Sequence, residues 1–159
     1  MRAPAIVVER ADAGSAEAQA LMDELSDALR AITGDSGRAS FDPADVCVPR
    51  GCFAIARDAS GRPLGCGALR PMGDAAAELK RMFARPGTAG VGSAVLRFLE
   101  AEAQRLGFAT ICLETRRVNT RAVAFYERRG YRPVENYGKY VGNAQAVCFT
   151  KPVDADAGA

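Results

Sequence analysis

Nine residues that alternate like a strand run through a glycine-rich corner into a stretch that repeats like a helix, and this corner constrains the fold most. The corner reads Ala-Arg-Pro-Gly-Thr-Ala-Gly-Val-Gly-Ser-Ala over 84–94. In the strand before it, residues 76–84, strict alternation puts Leu79, Arg81 and Phe83 on one face. Glu78, Lys80, Met82 and Ala84 then share the other. After the corner, Val91, Val95, Phe98, Leu99 and Leu106 recur at helical spacing, and Gly107 ends the pattern. A second unit of the same kind follows. Residues 109–114 read as a buried strand, Asn119 caps a short helix to about Arg129, and Gly130 stops it.

The rest of the chain fits around these corners. Residues 5–8 form a short apolar run, and Leu21, Leu25 and Ile32 mark a helix over 16–33 between Ser15 as cap and Gly34 as stop. Residues 51–57 and 63–69 flank the turn-forming Asp58, Ala59, Ser60 and Gly61, which predicts a hairpin. Residues 131–134 and 146–151 read as a last strand pair. The order predicts an α/β (α+β) domain: a mixed, largely antiparallel central sheet flanked by helices. With 159 residues the expectation is a single domain over 1–153 and a frayed tail over 154–159.

Several function classes are disfavoured. A net charge of +2 with scattered basic residues gives no field for nucleic acid or a membrane surface. No apolar run approaches the roughly 20 residues that span a bilayer. The short run after Arg2 does not suit a secretion signal, so the expected location is the cytoplasm. The chain has five cysteines and no histidine, so a Cys–His nucleophile is impossible. No Cys-x-x-Cys pair is present to build a common zinc site, and no metal is expected. Cys66, Cys112 and Cys148 lie in apolar runs and read as small buried hydrophobes.

Read alone, the glycine corner has two explanations. The first N–H groups of a helix lack intrahelical partners, and the helix dipole favours an anion there. Gly87, Gly90 and Gly92 would then let a phosphate approach the backbone. Equally, they would simply build a tight turn. A P-loop is excluded because no Gly-Lys-Ser/Thr follows. A dinucleotide fingerprint, with Glu114 as its acid, is weakened by Val95 at the third glycine position.

The second corner shifts this balance. Asn119-Thr120-Arg121-Ala122-Val123-Ala124-Phe125-Tyr126 is followed by Glu127-Arg128-Arg129-Gly130-Tyr131. Together with the glycine corner this resembles the GNAT acetyltransferase superfamily, firmly from about Glu78 to Tyr131. The resemblance implies acetyl-CoA as cosubstrate. Its arm would pair with the backbone at Met82, Phe83 and Ala84, and its pyrophosphate would be surrounded by Gly87, Ala89, Gly90, Val91, Gly92 and Ser93. Asn119 would contact the coenzyme, cap its helix, or both. The family usually carries Gln or Arg three residues before its Gly-x-Gly pair; here that residue is Gly87, which leaves Arg85 or Arg121 to supply charge.

Acetyl transfer to an amine needs a base, an oxyanion donor and an acid for the leaving thiolate. By the same resemblance Tyr126 is the acid, Glu78 the general base, acting directly or through water, and the Met82 N–H the oxyanion donor. Tyr126 also reads as a core tyrosine, and Glu78 as an ion-paired or surface carboxylate beside Lys80. Tyr137 and Tyr140 would line the acceptor pocket, or else lie exposed or at a dimer contact. The expected function is therefore N-acetyl transfer to a primary amine of a small molecule, peptide or protein. The alternatives are a non-catalytic acyl-CoA-binding module of the same fold and, further off, a nucleotide-binding enzyme. Many relatives form homodimers, but nothing in the sequence requires one.

Overall fold

The computed structural model describes residues 5–153, so the tail expected at 154–159 lies outside the described residues. Seven strands form one sheet: β1 (Val7–Arg10), β2 (Cys52–Arg57), β3 (Pro63–Met72), β4 (Ala76–Ala84), β5 (Thr110–Arg116), β6 (Arg132–Val134) and β7 (Ala146–Pro152). Their order across the sheet is β1-β2-β3-β4-β5-β7-β6. Every neighbouring pair is antiparallel except β4 and β5. A parallel pair needs a crossover, and helix α2 (Val91–Arg105) provides it. Helix α1 (Ala16–Thr33) follows β1, and helix α3 (Thr120–Arg128) follows β5.

The helices form where the sequence places their ends. Ser15 accepts a hydrogen bond from the Ala18 amide at 3.1 Å, and Gly34 takes the left-handed conformation at φ 82°. Strand β2, second in the order, is covered on both faces, which is why Cys52-Phe53-Ala54-Ile55-Ala56 is apolar throughout. Phe53 and Ile55 pack with Leu21 and Met22 of α1. Cys52, Ala54 and Ala56 pack with Val91, Val95 and Leu99 of α2. Each fully buried leucine contributes about 1.5–3 kcal/mol.

Two glycines of β3 bring α2 close to the sheet. A Cβ on Gly65 would lie 2.3 Å from the Phe83 carbonyl oxygen and 2.6 Å from Val91. One on Gly67 would lie 2.5 Å from the Met82 sulfur and 2.9 Å from Leu99. The strand also runs to Met72, beyond the expected end at Leu69, and turns into β4 through Gly73 at φ 75°.

Strict alternation fails along β4. Cys66 pairs with Phe83 but Ala68 with Lys80, so Gly67 stands opposite both Arg81 and Met82. This is a β-bulge, and Arg81 sits in it at φ 53°, alone among the described non-glycine residues in having positive φ. The bulge shifts the phase of the strand. Leu79 and Met82 both pack toward α2, while Phe83 packs toward α1. The expectation that Leu79 and Phe83 share a face is therefore corrected. The side chain of Arg81 anchors the bulge by donating to the Met22 carbonyl at 2.8 Å and to Ser26 Oγ at 2.6 Å.

Candidate active site

The bulge lies where the sheet opens. β4 and β5 pair only from Ala76 to Glu78 against Thr110 to Cys112. Beyond that point β4 continues to Ala84 and β5 to Arg116 without pairing to each other. The strands part, and a cleft forms between them. Met82 lines one wall, Leu113 and Glu114 the other, and Asn119, Ala122 and Tyr126 of α3 close one side. Leu25 and Leu29 of α1 and Tyr140 stand at the remaining margin.

Tyr126 is held firmly in this cleft. Its ring stacks on Phe125 with centroids 5.1 Å apart and meets Tyr131 edge-on at 5.6 Å. Among the described residues no side chain or backbone group hydrogen-bonds its hydroxyl, and no buried side-chain polar atom lacks a partner. The hydroxyl therefore opens onto the cleft it lines. Burial pushes the phenol above its ordinary range, so it stays protonated and can donate.

The glycine corner presents free amides. Gly90 caps α2 at φ 76°, and no side chain caps the helix. The first intrahelical bond from the corner runs from the Ala94 amide to the Gly90 carbonyl at 3.0 Å. The amides of Val91, Gly92 and Ser93 thus have no intrahelical acceptor. Gly87 is left-handed at φ 82°, with open space where a Cβ would stand. A Cβ on Gly92 would press on Phe125 at 3.3 Å. Bare backbone, unpaired amides and the positive end of α2 fit the diphosphate of coenzyme A. Val91 is buried in the core and contributes only backbone there. Ala89 lies in the loop leading to the cap.

Asn119 caps its helix from the cleft wall. Its Oδ1 accepts from the Ala122 amide at 3.3 Å, and the residue lines the cleft. Phe83 and Ala84 are not in the cleft lining, and Ala84 pairs with Gly65.

Glu78 lies at the edge of the cleft, in a pocket that adjoins it at Tyr140. It is buried at 2% exposure and lines a neighbouring pocket with Arg70 and Tyr137, outside the cleft that holds Tyr126. One carboxylate oxygen accepts from Arg70 Nε at 2.9 Å and Nη2 at 2.6 Å. The other accepts from the Tyr137 hydroxyl at 2.7 Å and lies 3.5 Å from Lys80 Nζ. The ion-paired reading of Glu78 matches this geometry, with Arg70 as the main partner and Lys80 the lesser. Tyr137 and Tyr140 meet edge-on at 5.7 Å. Tyr140 reaches the cleft, whereas Tyr137 faces the neighbouring pocket.

Two cleft residues escaped the sequence reading in this role. Glu114 lines the cleft from β5 and accepts from Arg116 at 2.9 Å. Desolvation raises its carboxyl above the ordinary range, against the opposing pull of Arg116 and Lys80. Lys80 donates to the Tyr140 hydroxyl at 3.0 Å, and burial lowers its ammonium below the usual lysine range. Neither has a local sequence signal, because cleft exposure depends on where β4 and β5 part.

The cysteines play no visible part. All five are free, and burial pushes the Cys52 and Cys66 thiols up to about 11 and about 12, away from thiolate. Among the described residues no cluster of His, Cys, Asp or Glu could hold a metal, and no helix is long and apolar enough to cross a membrane.

The sequence profile of the acetyltransferase (GNAT) family matches residues 18–131. The chain belongs to the GNAT acetyltransferase family. An uncharacterised N-acetyltransferase of Schizosaccharomyces pombe is 34% identical over 92 residues, a match spanning 56% of each chain. An IAA acetyltransferase of Azospirillum brasilense is 28% identical over 136 residues, covering 84% of this chain and 88% of the relative. A Klebsiella pneumoniae protein solved as a candidate acyl-CoA N-acyltransferase superposes with a TM-score of 0.78 at 25% identity, covering 93% of this chain and 97% of the other. GNAT membership removes the case for a dinucleotide enzyme, and Glu114 belongs to the cleft wall.

Proposed function

We propose that this GNAT chain moves an acetyl group from acetyl-CoA to a primary amine of a small molecule, peptide or protein, by direct attack in a ternary complex. The observation that carries this reading is the parting of β4 from β5 with the Tyr126 hydroxyl free inside the gap. The amides of Val91, Gly92 and Ser93 would hold the diphosphate, and the exposed backbone at the β4 bulge would receive the arm. The Met82 N–H is the oxyanion donor in this scheme. Tyr126 gives its proton to the leaving sulfur.

The acceptor nitrogen must lose a proton to attack. A lysine-like amine is neutral to only about a few parts in 10⁴ at pH 7. Glu114 takes this proton directly: of the two carboxylates that line the cleft, Glu114 and Asp35, it is the one on β5, the strand that parts from β4. Glu78 acts as a positioning residue. It fixes Lys80 and Tyr137, and through Lys80 the hydroxyl of Tyr140 beside the acceptor's entry. A cytoplasmic location goes with the reading, because five free thiols suit a reducing compartment.

The test is a panel of primary amines, from alkylamines and polyamines to amino-acid amides and peptides, assayed for thiol release from acetyl-CoA. Turnover by the parent and its loss in Tyr126→Phe supports the scheme. Acetyl-CoA binding without turnover of any amine supports the non-catalytic module instead.

A further inference from the structure

No side chain reaches out from the position three residues before the Gly-x-Gly pair, where the resemblance expects Gln or Arg, and the structure shows what stands nearby. Gly87 occupies the usual position. Arg85, the cation within the loop, is engaged with Glu24 through Nε at 3.1 Å and Nη2 at 2.6 Å, and with the Pro63 carbonyl through Nη1 at 2.7 Å. Arg121 is exposed on the first turn of α3. Neither residue expected to supply charge is thus shown at the α2 terminus.

Arg129, at the end of α3, reaches that terminus. Its Nε donates to Ser93 Oγ at 3.1 Å, and Nη2 donates to the same oxygen. Its Nη1 donates to the Phe125 carbonyl at 3.1 Å, and the guanidinium lies 3.7 Å above the Phe125 ring. Phe125 in turn packs against Gly92. A guanidinium has five N–H donors. One on Nη1 and one on Nη2 remain beyond these contacts.

The electrostatics point to an anion. The start of α2 carries about half a positive charge from its dipole. Arg129 adds a full charge one residue past the glycine pair, and it is half-buried. Among the described residues it makes no salt bridge. Two like charges are therefore held together with no acid within ion-pairing distance. The Phe125 ring, the Ser93 hydroxyl and the Phe125 carbonyl at the negative end of α3 fix the guanidinium and offset only part of its charge.

We infer that Arg129 is the coenzyme-binding cation of this chain, reaching from α3 to the phosphates held at the start of α2. This rests on the acyl-CoA reading of the site. It assigns to the end of α3 the charge that Arg85, paired with Glu24, does not bring to the phosphates, with Ser93 and Phe125 as the residues that aim it.

The test is calorimetric binding of acetyl-CoA and of S-acetylpantetheine, which has no phosphate, to the parent and to Arg129→Leu and Arg129→Gln. The Gln variant keeps a polar partner for Ser93 if the Leu variant does not fold, and circular dichroism reports folding. The expected result is about a tenfold or greater loss of acetyl-CoA affinity in the variants, as for a charged hydrogen bond. Their binding should also become less sensitive to salt, while S-acetylpantetheine binds parent and variants alike. Equal affinity of folded variants and parent for acetyl-CoA overturns the inference while leaving the acetyltransferase reading intact. A parent that binds no acetyl-CoA overturns both.

Discussion

Tyr126 and Glu114 face each other's chemistry across one cleft, and each makes a separate demand on experiment. Tyr126→Phe removes only the oxygen that opens onto the gap, since the ring is fixed by Phe125 and Tyr131. The acetyl-CoA affinity should stay within about twofold while kcat falls by about 10²-fold, the lower range for general acid catalysis. Stopped-flow and steady-state assays on the best amine of the panel measure the split. Glu114 must be ionised to accept a proton, and its carboxyl is raised by desolvation. The acid limb of kcat/KM should therefore lie above the ordinary carboxylate range, with activity rising as pH rises through it. Glu114→Gln should lower kcat/KM by about 10²-fold and abolish that limb. An unchanged profile would remove Glu114 from the mechanism. Tyr126 was legible in the sequence because it ends a motif of fixed spacing after Asn119. Glu114 was not, because nothing local tells a carboxylate in β5 that it will face a gap instead of a neighbouring strand. Glu78 was legible as a residue but not in its full setting: Arg70 becomes its partner only through the β3–β4 register, and Tyr137 comes from a distant part of the chain.

At the scale of elements, the bulge of β4 and the glycines of β3 act together. The bulge turns the strand at Arg81 and brings Met82 to the cleft, and Gly65 and Gly67 let α2 approach the strand at that point. Gly65→Ala places a methyl group 2.3 Å from the Phe83 carbonyl, so backbone must move. The expected cost is about 1–3 kcal/mol of stability, read from urea unfolding with unchanged slope. A smaller cost would mean that the contact between β3 and α2 is looser than described. The helices and the β2–β3 hairpin follow directly from caps, turn residues and periodicity. The bulge does not, because alternation is a two-residue rule and one inserted residue breaks it without leaving a mark in composition. Gly65 and Gly67 carry no turn, so their role appears only when α2 is laid against them.

For the whole molecule, the sheet order decides whether the two corners form one site. The sequence supports two successive strand-to-helix units, but not that β4 and β5 pair for three residues and then diverge. That divergence is a property of the assembled sheet, in which β4 stays paired with β3 and β5 with β7. A site spanning both corners should couple ligand binding to global stability. Acetyl-CoA at 100 times its dissociation constant should stabilise the fold by about 2.7 kcal/mol, visible as a rise in Tm. NAD at the same concentration should leave Tm unchanged. A rise with NAD and none with acetyl-CoA would return the glycine corner to a dinucleotide reading.

The central claim is that a single slot holds the coenzyme, with its diphosphate at the start of α2 and its sulfur under α3. A crystal structure with coenzyme A bound tests it most directly. The account predicts phosphate oxygens on the amides of Val91, Gly92 and Ser93, the arm running between β4 and β5, and the sulfur within hydrogen-bonding reach of the Tyr126 hydroxyl. A coenzyme bound with its sulfur away from Tyr126, or its arm outside the gap beside Met82, would contradict it.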